Sequence, residues 1–444
     1  MPGKPPPATA AAVTPYDRAA LLEPAQLEAW FAADQQRPLL HSLFGPATCA
    51  ELRRLARAAQ ASRRRRPPSN RPRAWVLPGI LGTRLGRRRG QVPDVLWFDP
   101  DDLVAGRATL LRQQPRDRLY AMGVIDQSYL KLWLRLVAAG FEPEYFGYDW
   151  RRSVAANGAA FASRLRADAR PATIVAHSLG GLVARAALRR TRLPPIERIV
   201  LLGTPNLGSY AAVQAMRGSY AAVRRIAMLD RRHDALTLSR DVFTSFDSLY
   251  DLLPRGALAI PRDYHDPASW PTQAPRPDPA RLAAARGLAA RLVDGDARFV
   301  CIAGIGTPTV VGASLRPREF SYRYRRDGDG TVPLDSARLD GTALYVAPIT
   351  HGLLPRDDRV IDAVIDLLRN GRTDHLQQGR PRARSAGFTL RDRDLYTTLA
   401  DKLDWSALEP PARLEFIEKL SDPGPLERMA GVARSGRRPQ DSGR

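Results

Sequence analysis

Ile174-Val-Ala-His-Ser-Leu-Gly-Gly181 is the stretch that decides the fold. Ala172 to Ala176 reads as a short apolar strand, and Leu182 to Arg190 follows at once with a helical pattern. Passing from strand to helix through Ser178 needs a turn so sharp that the serine takes strained backbone angles. Only small residues fit two before and two after it, and Ala176 and Gly180 stand there. The strain lifts the Ser178 hydroxyl clear of the sheet, and the Leu179 N–H, at the helix start, points toward whatever that oxygen attacks. The bland alternative is a helix-capping serine in an ordinary strand–helix loop. The strand before it and the helix after it weigh against that.

Working outward, Ala74-Trp-Val-Leu runs into Pro78-Gly79 and reads as a buried strand ending in a tight turn. Phe141 to Trp150, Ile196 to Leu202, Phe299 to Ile305 and Ala343 to Ala347 read as further strands. Ser128–Ala139, Phe161–Ala169 and Arg359–Asn370 read as helices between and after them, with Leu130, Trp133, Leu134 and Val137 on one face. Strands alternating with helices predict an α/β fold, a mostly parallel sheet covered on both faces, over residues 71–370. The alternation lapses at about 206–295, where scattered aromatics predict an inserted cap or lid. Residues 1–70 are expected to form a Pro/Ala-rich tail, a helical stretch at 24–60 and a linker at Arg63-Arg64-Arg65-Arg66-Pro67-Pro68. Residues 371–444 are expected to form a basic extension with a helical pair around 397–420.

A serine hydroxyl is a weak nucleophile until a base takes its proton. Of the six histidines, only His351 and His375 come late enough for the order serine, acid, histidine that this elbow implies. His351 follows the strand Tyr345-Val-Ala-Pro-Ile-Thr and precedes the last helix, whereas His375 falls in a charged tail. His351 is therefore the expected base. His177 reads as a packing residue, and His233 and His265 as surface or polar core residues of the cap. Asp327-Gly-Asp-Gly-Thr-Val-Pro333 offers the acid, and Asp329 is preferred over Asp327 because it directly precedes the Gly-Thr-Val-Pro turn. A surface turn or a cation loop is the bland reading, and the acidic ligands of a calcium loop are missing. A second oxyanion donor is expected from Pro78-Gly-Ile-Leu-Gly-Thr-Arg-Leu85: the Ile80 N–H, with Leu81 as the fallback.

Composition sets the outer limits. The 444 residues suffice for one large α/β domain with insertions or for two modest ones, and 44% are hydrophobic. No apolar run is long enough to span a bilayer, and Met1-Pro-Gly-Lys-Pro-Pro-Pro lacks a secretory pattern, so a cytoplasmic location is expected, with peripheral membrane contact open. Cys49 and Cys301 stand far apart, away from clustered histidines, which argues against a zinc site or a disulfide framework. No metal and no cofactor is expected. The net charge of +22 is almost all arginine, with lysine only at Lys4, Lys131, Lys402 and Lys419. It reads either as an affinity for anionic surfaces or, with more weight, as the composition of a GC-rich genome, since the charge is spread along the chain. That spread makes nucleic acid a poor candidate partner. The competing reading is a non-catalytic basic scaffold that binds anionic lipid or nucleic acid.

With these segments assembled, the chain resembles the lecithin:cholesterol acyltransferase family, which includes lysosomal phospholipase A2 and phospholipid:diacylglycerol acyltransferase. Val76 to Leu85 looks like its oxyanion segment, Tyr148-Asp-Trp-Arg151 like a further signature, Ala176 to Gly180 like its elbow, and Leu202 to Pro205 with Gly208-Ser209 like the strand and lid approach. Gly328 to Val332 and His351 complete the set, and the resemblance covers about 74–370. It implies an α/β-hydrolase fold. It further implies Ser178 as nucleophile, Asp329 as acid, His351 as base, Ile80 and Leu179 as oxyanion donors, and Trp150 in the acyl region. Family members move an acyl chain from a glycerolipid to an alcohol or water, so a lipid acyltransferase or lipid-ester hydrolase is expected. The chain departs from the family in showing no secretory signal, no cysteine pair for the lid and a lid sequence of its own.

Overall fold

The computed structural model describes residues 14–20, 22–67, 71–89, 92–116, 119–379, 387–396 and 401–420, with 422, 424 and 426. The expected tail at 1–13 lies outside the described residues.

Seven strands form the central sheet: β1 (Arg73–Leu77), β2 (Glu142–Tyr145), β3 (Ala172–His177), β4 (Ile196–Leu202), β5 (Phe299–Gly304), β6 (Ala343–Ala347) and β7 (Gln377–Gln378). Their order is β7-β6-β5-β4-β3-β1-β2, and every pair is parallel except β6 with β7. Side chains alternate between the two faces as the pleat requires. Trp75, Leu77, Ile174, Ala176, Ile199 and Leu201 join the core beneath the helices Val154–Asp168 and Leu179–Leu188. Ala74, Val76, Val175, Val200, Val300 and Ile302 join the other core, beneath Asp126–Ala138 and Asp358–Asn370. Burial on both faces explains the apolar runs Ala74–Leu77, Ile174–Ala176, Ile199–Leu202 and Phe299–Ala303 within these strands.

The sequence reading is right about the sheet and its covering helices. It overextends one strand: 141–150 holds only the four residues of β2, and the chain from Phe146 onward turns toward the site. Between β4 and β5 lie short helices, including Tyr210–Met216, Ala221–Leu229 and Ala235–Asp241, over the stretch read as a cap. Two three-stranded antiparallel sheets were not foreseen: Thr83–Arg89 with Val92–Trp97 and Tyr120–Val124, and Thr309–Leu315 with Phe320–Arg325 and Phe388–Arg391.

Both terminal regions pack against the body of the fold. The stretch 24–60 is three helices in the structure, Pro24–Ala32, Arg37–Phe44 and Pro46–Arg65, separated where Gln36 and Gly45 take positive φ. They sit on Leu130, Trp133, Leu134 and Val137, so that face of Asp126–Ala138 is covered by the N-terminal region while its Leu132 and Leu136 face the sheet. The expected linker is corrected at its start: the helix runs through Arg65, because arginine is a good helix former and favoured in a last turn. Arg63 bridges Glu28 and Glu142 and lies over the Trp133 ring.

The region after 370 does not stand apart either. Asp392, fully buried, accepts bonds from Arg217 Nε (3.1 Å), Ser219 Oγ (3.0 Å), the Phe320 N–H (3.0 Å) and Tyr322 Oη (2.8 Å). A buried carboxylate satisfied this fully pins the segment in place. Among the described residues no helix is long and apolar enough to cross a membrane.

Candidate active site

The loops that follow β1, β3, β5 and β6 converge at the carboxyl ends of the parallel strands, the usual place for a site in an open α/β sheet. Ser178 caps β3 with φ 54° and ψ −124°, a conformation disfavoured for any residue but glycine. Its N–H donates to the Leu202 carbonyl at 2.8 Å, and its side chain is almost wholly buried. The glycine two residues on is needed for a reason beyond the serine itself: a Cβ on Gly180 would sit 2.6 Å from the Pro78 oxygen and 2.7 Å from the Leu77 oxygen. Gly181 faces Thr204 in the same way.

Asp329, His351 and Ser178 form one continuous line. His351 Nδ1 lies 2.7 Å from Asp329 Oδ2, and His351 Nε2 lies 2.8 Å from Ser178 Oγ. The other Asp329 oxygen, Oδ1, accepts from the N–H groups of Thr331 (3.0 Å) and Val332 (2.7 Å), which leaves Oδ2 for the imidazole. The Asp329 carbonyl accepts the His351 N–H at 2.9 Å, so backbone and side chain hold the two residues in register. An Nδ1–H donated to a carboxylate leaves the Nε2 lone pair facing the serine hydroxyl. Asp327 pairs with Arg325 at 3.1 Å instead. Sequence reasoning missed two glycines behind this line. A Cβ on Gly203, where φ is +55°, would come within 3.0 Å of His351 Nδ1 and 3.1 Å of Asp329 Oδ2, and one on Gly304 would meet Asp329 Cβ at 2.6 Å.

The loop after β1 presses against the serine. Gly82 N–H closes a turn on the Gly79 carbonyl (3.1 Å), Leu81 has φ +65°, and a Cβ on Gly79 would lie 2.9 Å from that of Ser178. Aromatic donors tie down the loop's carbonyls: Tyr148 Oη binds the Pro78 oxygen (2.7 Å), Trp97 Nε1 that of Leu81 (2.7 Å) and Trp150 Nε1 that of Thr83 (2.9 Å). Ile80 and Leu81 line the same cavity as Ser178. Leu179 opens its helix, where N–H groups have no intrahelical partner.

Trp150 stands behind the cavity wall and not in it. It is fully buried, edge-on to Trp97 and Phe246, while Trp97 lines the cavity. Trp150→Phe leaves the Thr83 carbonyl without its buried donor, which costs about 1–3 kcal/mol of stability. We expect kcat to fall with KM unchanged; a raised KM at constant kcat would place Trp150 against the substrate.

His177, read from the sequence as a packing residue, is a joint between two loops. Tyr129 Oη accepts the Gly79 N–H (2.9 Å) and donates to His177 Nδ1 (2.8 Å), and His177 Nε2 donates to the His351 carbonyl (3.1 Å). Burial foremost, and the nearby His351 second, hold its pKa well below the usual histidine range. Below pH of about 6.5 the unfolded chain gains a proton that folded His177 refuses, so its contribution to stability is complete above that pH and declines by about 1.4 kcal/mol per unit below it. In urea unfolding between pH 7.5 and 5, the stability difference between wild type and His177→Gln should shrink at that slope. Parallel curves would refute the neutral, joint-forming histidine.

A cavity of about 230 Å³ opens above Ser178. Its walls are apolar, with Trp97, Phe98, Phe243, Leu249 and Leu252 among them. Both terminal regions contribute: Tyr16, Leu43 and Phe44 from one, Leu414, Ile417 and Leu420 from the other. Arg356, in the His351 loop, binds Glu418 at 2.7 Å and fastens the helix Pro410–Glu418 at the rim.

The sheet order, the cap between β4 and β5 and the elbow at Ser178 define an α/β-hydrolase. Within that class, residues 118–274 match the model of the lecithin:cholesterol acyltransferase family, so the resemblance read from the sequence is borne out. The matched stretch takes in Tyr148–Arg151, Ser178 and much of the cap, and ends before Asp329 and His351. No curated protein matches. Among solved structures, mature Bacillus licheniformis lipase BlEst2 is 16% identical over 68% of this chain and 93% of that one, with a TM-score of 0.35. Tle4 in the Tle4–Tli4 complex is 14% identical over 53% and 74%, with a TM-score of 0.32. The lin2722 product of Listeria innocua is 11% identical over 68% and 96%, with a TM-score of 0.30. The family match supports a lipid acyltransferase- or esterase-type enzyme.

Proposed function

We propose that the chain is a serine-dependent lipid O-acyltransferase or lipid-ester hydrolase. The observation that carries this reading is the unbroken line Asp329–His351–Ser178, at 2.7 and 2.8 Å, at the floor of an apolar cavity. In this reading His351 Nε2 takes the Ser178 proton as Oγ attacks the ester carbonyl. The N–H groups of Ile80 and Leu179 hold the oxyanion. The imidazolium, steadied by Asp329, gives the proton to the departing alcohol, leaving an acyl-enzyme. An acceptor alcohol or water, deprotonated by His351, then releases the acyl group. No step in this sequence calls on a metal or cofactor. The apolar walls suit an acyl chain, and Trp150 acts by fixing the oxyanion loop.

Product analysis on a phospholipid, with and without an added long-chain alcohol, tests the proposal. Release of a fatty acid, or formation of a new ester when alcohol is present, is expected, together with covalent labelling of Ser178 by a fluorophosphonate. Absence of both labelling and products would overturn it.

A further inference from the structure

On the far side of the segment Pro205–Ala212 lies a second and larger space, a cleft of about 1450 Å³. It shares no lining residue with the cavity above Ser178: Pro205, Ser209 and Ala212 face that cavity, while Asn206, Leu207 and Tyr210 face the cleft. At its inner end two arginines are brought together by one asparagine. Arg185 Nη1 donates to Asn206 Oδ1 (3.0 Å), and Arg255 Nη2 donates to the Asn206 carbonyl (3.2 Å). Among the described residues their other hydrogen bonds go to carbonyls as well: Arg185 Nε and Nη2 to Val293 (2.9 and 2.7 Å), and Arg255 Nη1 to Asp251 (2.6 Å).

Among the described residues neither guanidinium has a carboxylate within ion-pair distance. Asp294 acts through space on Arg185, and Asp251 on Arg255. Burial pushes both pKa values down to about 10, so both groups stay charged at neutral pH at a cost in solvation. Each keeps N–H groups that these bonds leave over.

The cleft also holds Arg262, whose buried Nε has no hydrogen-bond partner among the described residues, and Arg323. Two of its aspartates are already engaged, Asp263 by Arg286 (3.0 Å) and Asp340 by Arg338 (2.8 Å). Arg185, Arg255, Arg262 and Arg323 are then set against Asp294, Asp335 and, beside Arg255, Asp251, which leaves positive charge in excess around an open space. Leu258 and Ile260 add an apolar side, and Ile260 is 76% exposed. Two paired guanidinium forks match the several oxygens and double charge of a phosphoryl group better than they match a lone carboxylate. We infer that this cleft is a binding site for a phosphate ester, with the phosphoryl group on Arg185 and Arg255 and the organic part against Leu258 and Ile260. A soluble ester and a phospholipid headgroup share this chemistry.

The test uses the full chain carrying Ser178→Ala, so that no lipid is consumed. Glycerol 3-phosphate is titrated by calorimetry at low ionic strength, and co-sedimentation is measured with phosphatidylcholine vesicles with and without phosphatidic acid. We expect one site for glycerol 3-phosphate, weakened about tenfold or more by Arg255→Gln. Arg323→Gln, an exposed change that spares the core, should weaken it in the same direction. Arg190→Gln, an exposed arginine outside the cleft, should leave it unchanged. Binding of phosphatidic acid vesicles alone, lost in the same cleft variants, supports the headgroup as the source. No binding of either probe, or binding that Arg255→Gln and Arg323→Gln both retain, overturns the inference.

Discussion

Ser178→Ala is expected to lower turnover of an ester by about 10⁶-fold while leaving the fold intact. In the proposed mechanism the Ser178 hydroxyl supplies the attacking atom. His351 reaches Ser178 Oγ at 2.8 Å, and His177, the other imidazole at the site, has both nitrogens engaged, by Tyr129 and by the His351 carbonyl. What stays behind is the cavity and, in the proposed mechanism, the backbone donors of Ile80 and Leu179, which would bind and polarise the ester without attacking it. Alanine keeps the Cβ that the elbow already accommodates, so the strain at φ 54° is unchanged, and the only bond lost is the one to His351. Thermal unfolding and far-UV circular dichroism should therefore match wild type, and the purified variant should not react with a fluorophosphonate. Retention of more than about a tenth of the wild-type rate by a correctly folded variant would remove Ser178 from the mechanism.

Chemistry is what made the center of this site legible in the sequence. A nucleophile elbow constrains residue size on both sides of the serine, and the order of acid and base restricts the choice to late segments, so Ser178, Asp329 and His351 could be named before any geometry. The buried parallel strands were legible for a related reason, because burial on both faces leaves the runs Ile174–Ala176 in β3 and Ile199–Leu202 in β4 without polar alternation. What stayed hidden depends on contacts between distant segments. Nothing local marks Gly203 as the residue that makes room for His351 and Asp329, or Tyr129 as the partner of Gly79 and His177. Trp150 was expected in the acyl region; its ring lies edge-on to Trp97 and its N–H reaches the Thr83 carbonyl, contacts that no local pattern marks. The strand Phe388–Arg391 is only four residues long and lies in arginine-rich sequence, so its alternation was too brief to register. The terminal regions read as extensions of the domain, yet Phe44 and Ile417 line the same cavity.

Asp329→Asn separates the geometric role of the acid from its electrostatic one, and a fall in kcat of about 10⁴-fold is expected at neutral pH. The direction follows from which way the amide must turn. Oδ1 of Asp329 faces two backbone donors, Thr331 and Val332, at 3.0 and 2.7 Å. An asparagine NH₂ placed there would meet two N–H groups, so the amide oxygen takes that position and the NH₂ is turned toward His351 Nδ1. His351 must then accept at Nδ1, which moves its proton to Nε2. A protonated Nε2 faces Ser178 Oγ as a donor and has no lone pair with which to take the serine proton. The side chain keeps its shape and its bonds, so stability and KM should change little, and the whole loss should appear in kcat. Nitrogen-15 spectra of the imidazole should show the tautomer exchanged relative to wild type. A variant with the exchanged tautomer and near-normal kcat would mean that His351 is not the base, whereas the wild-type tautomer with low kcat would mean that the negative charge of Asp329 matters more than the orientation it imposes.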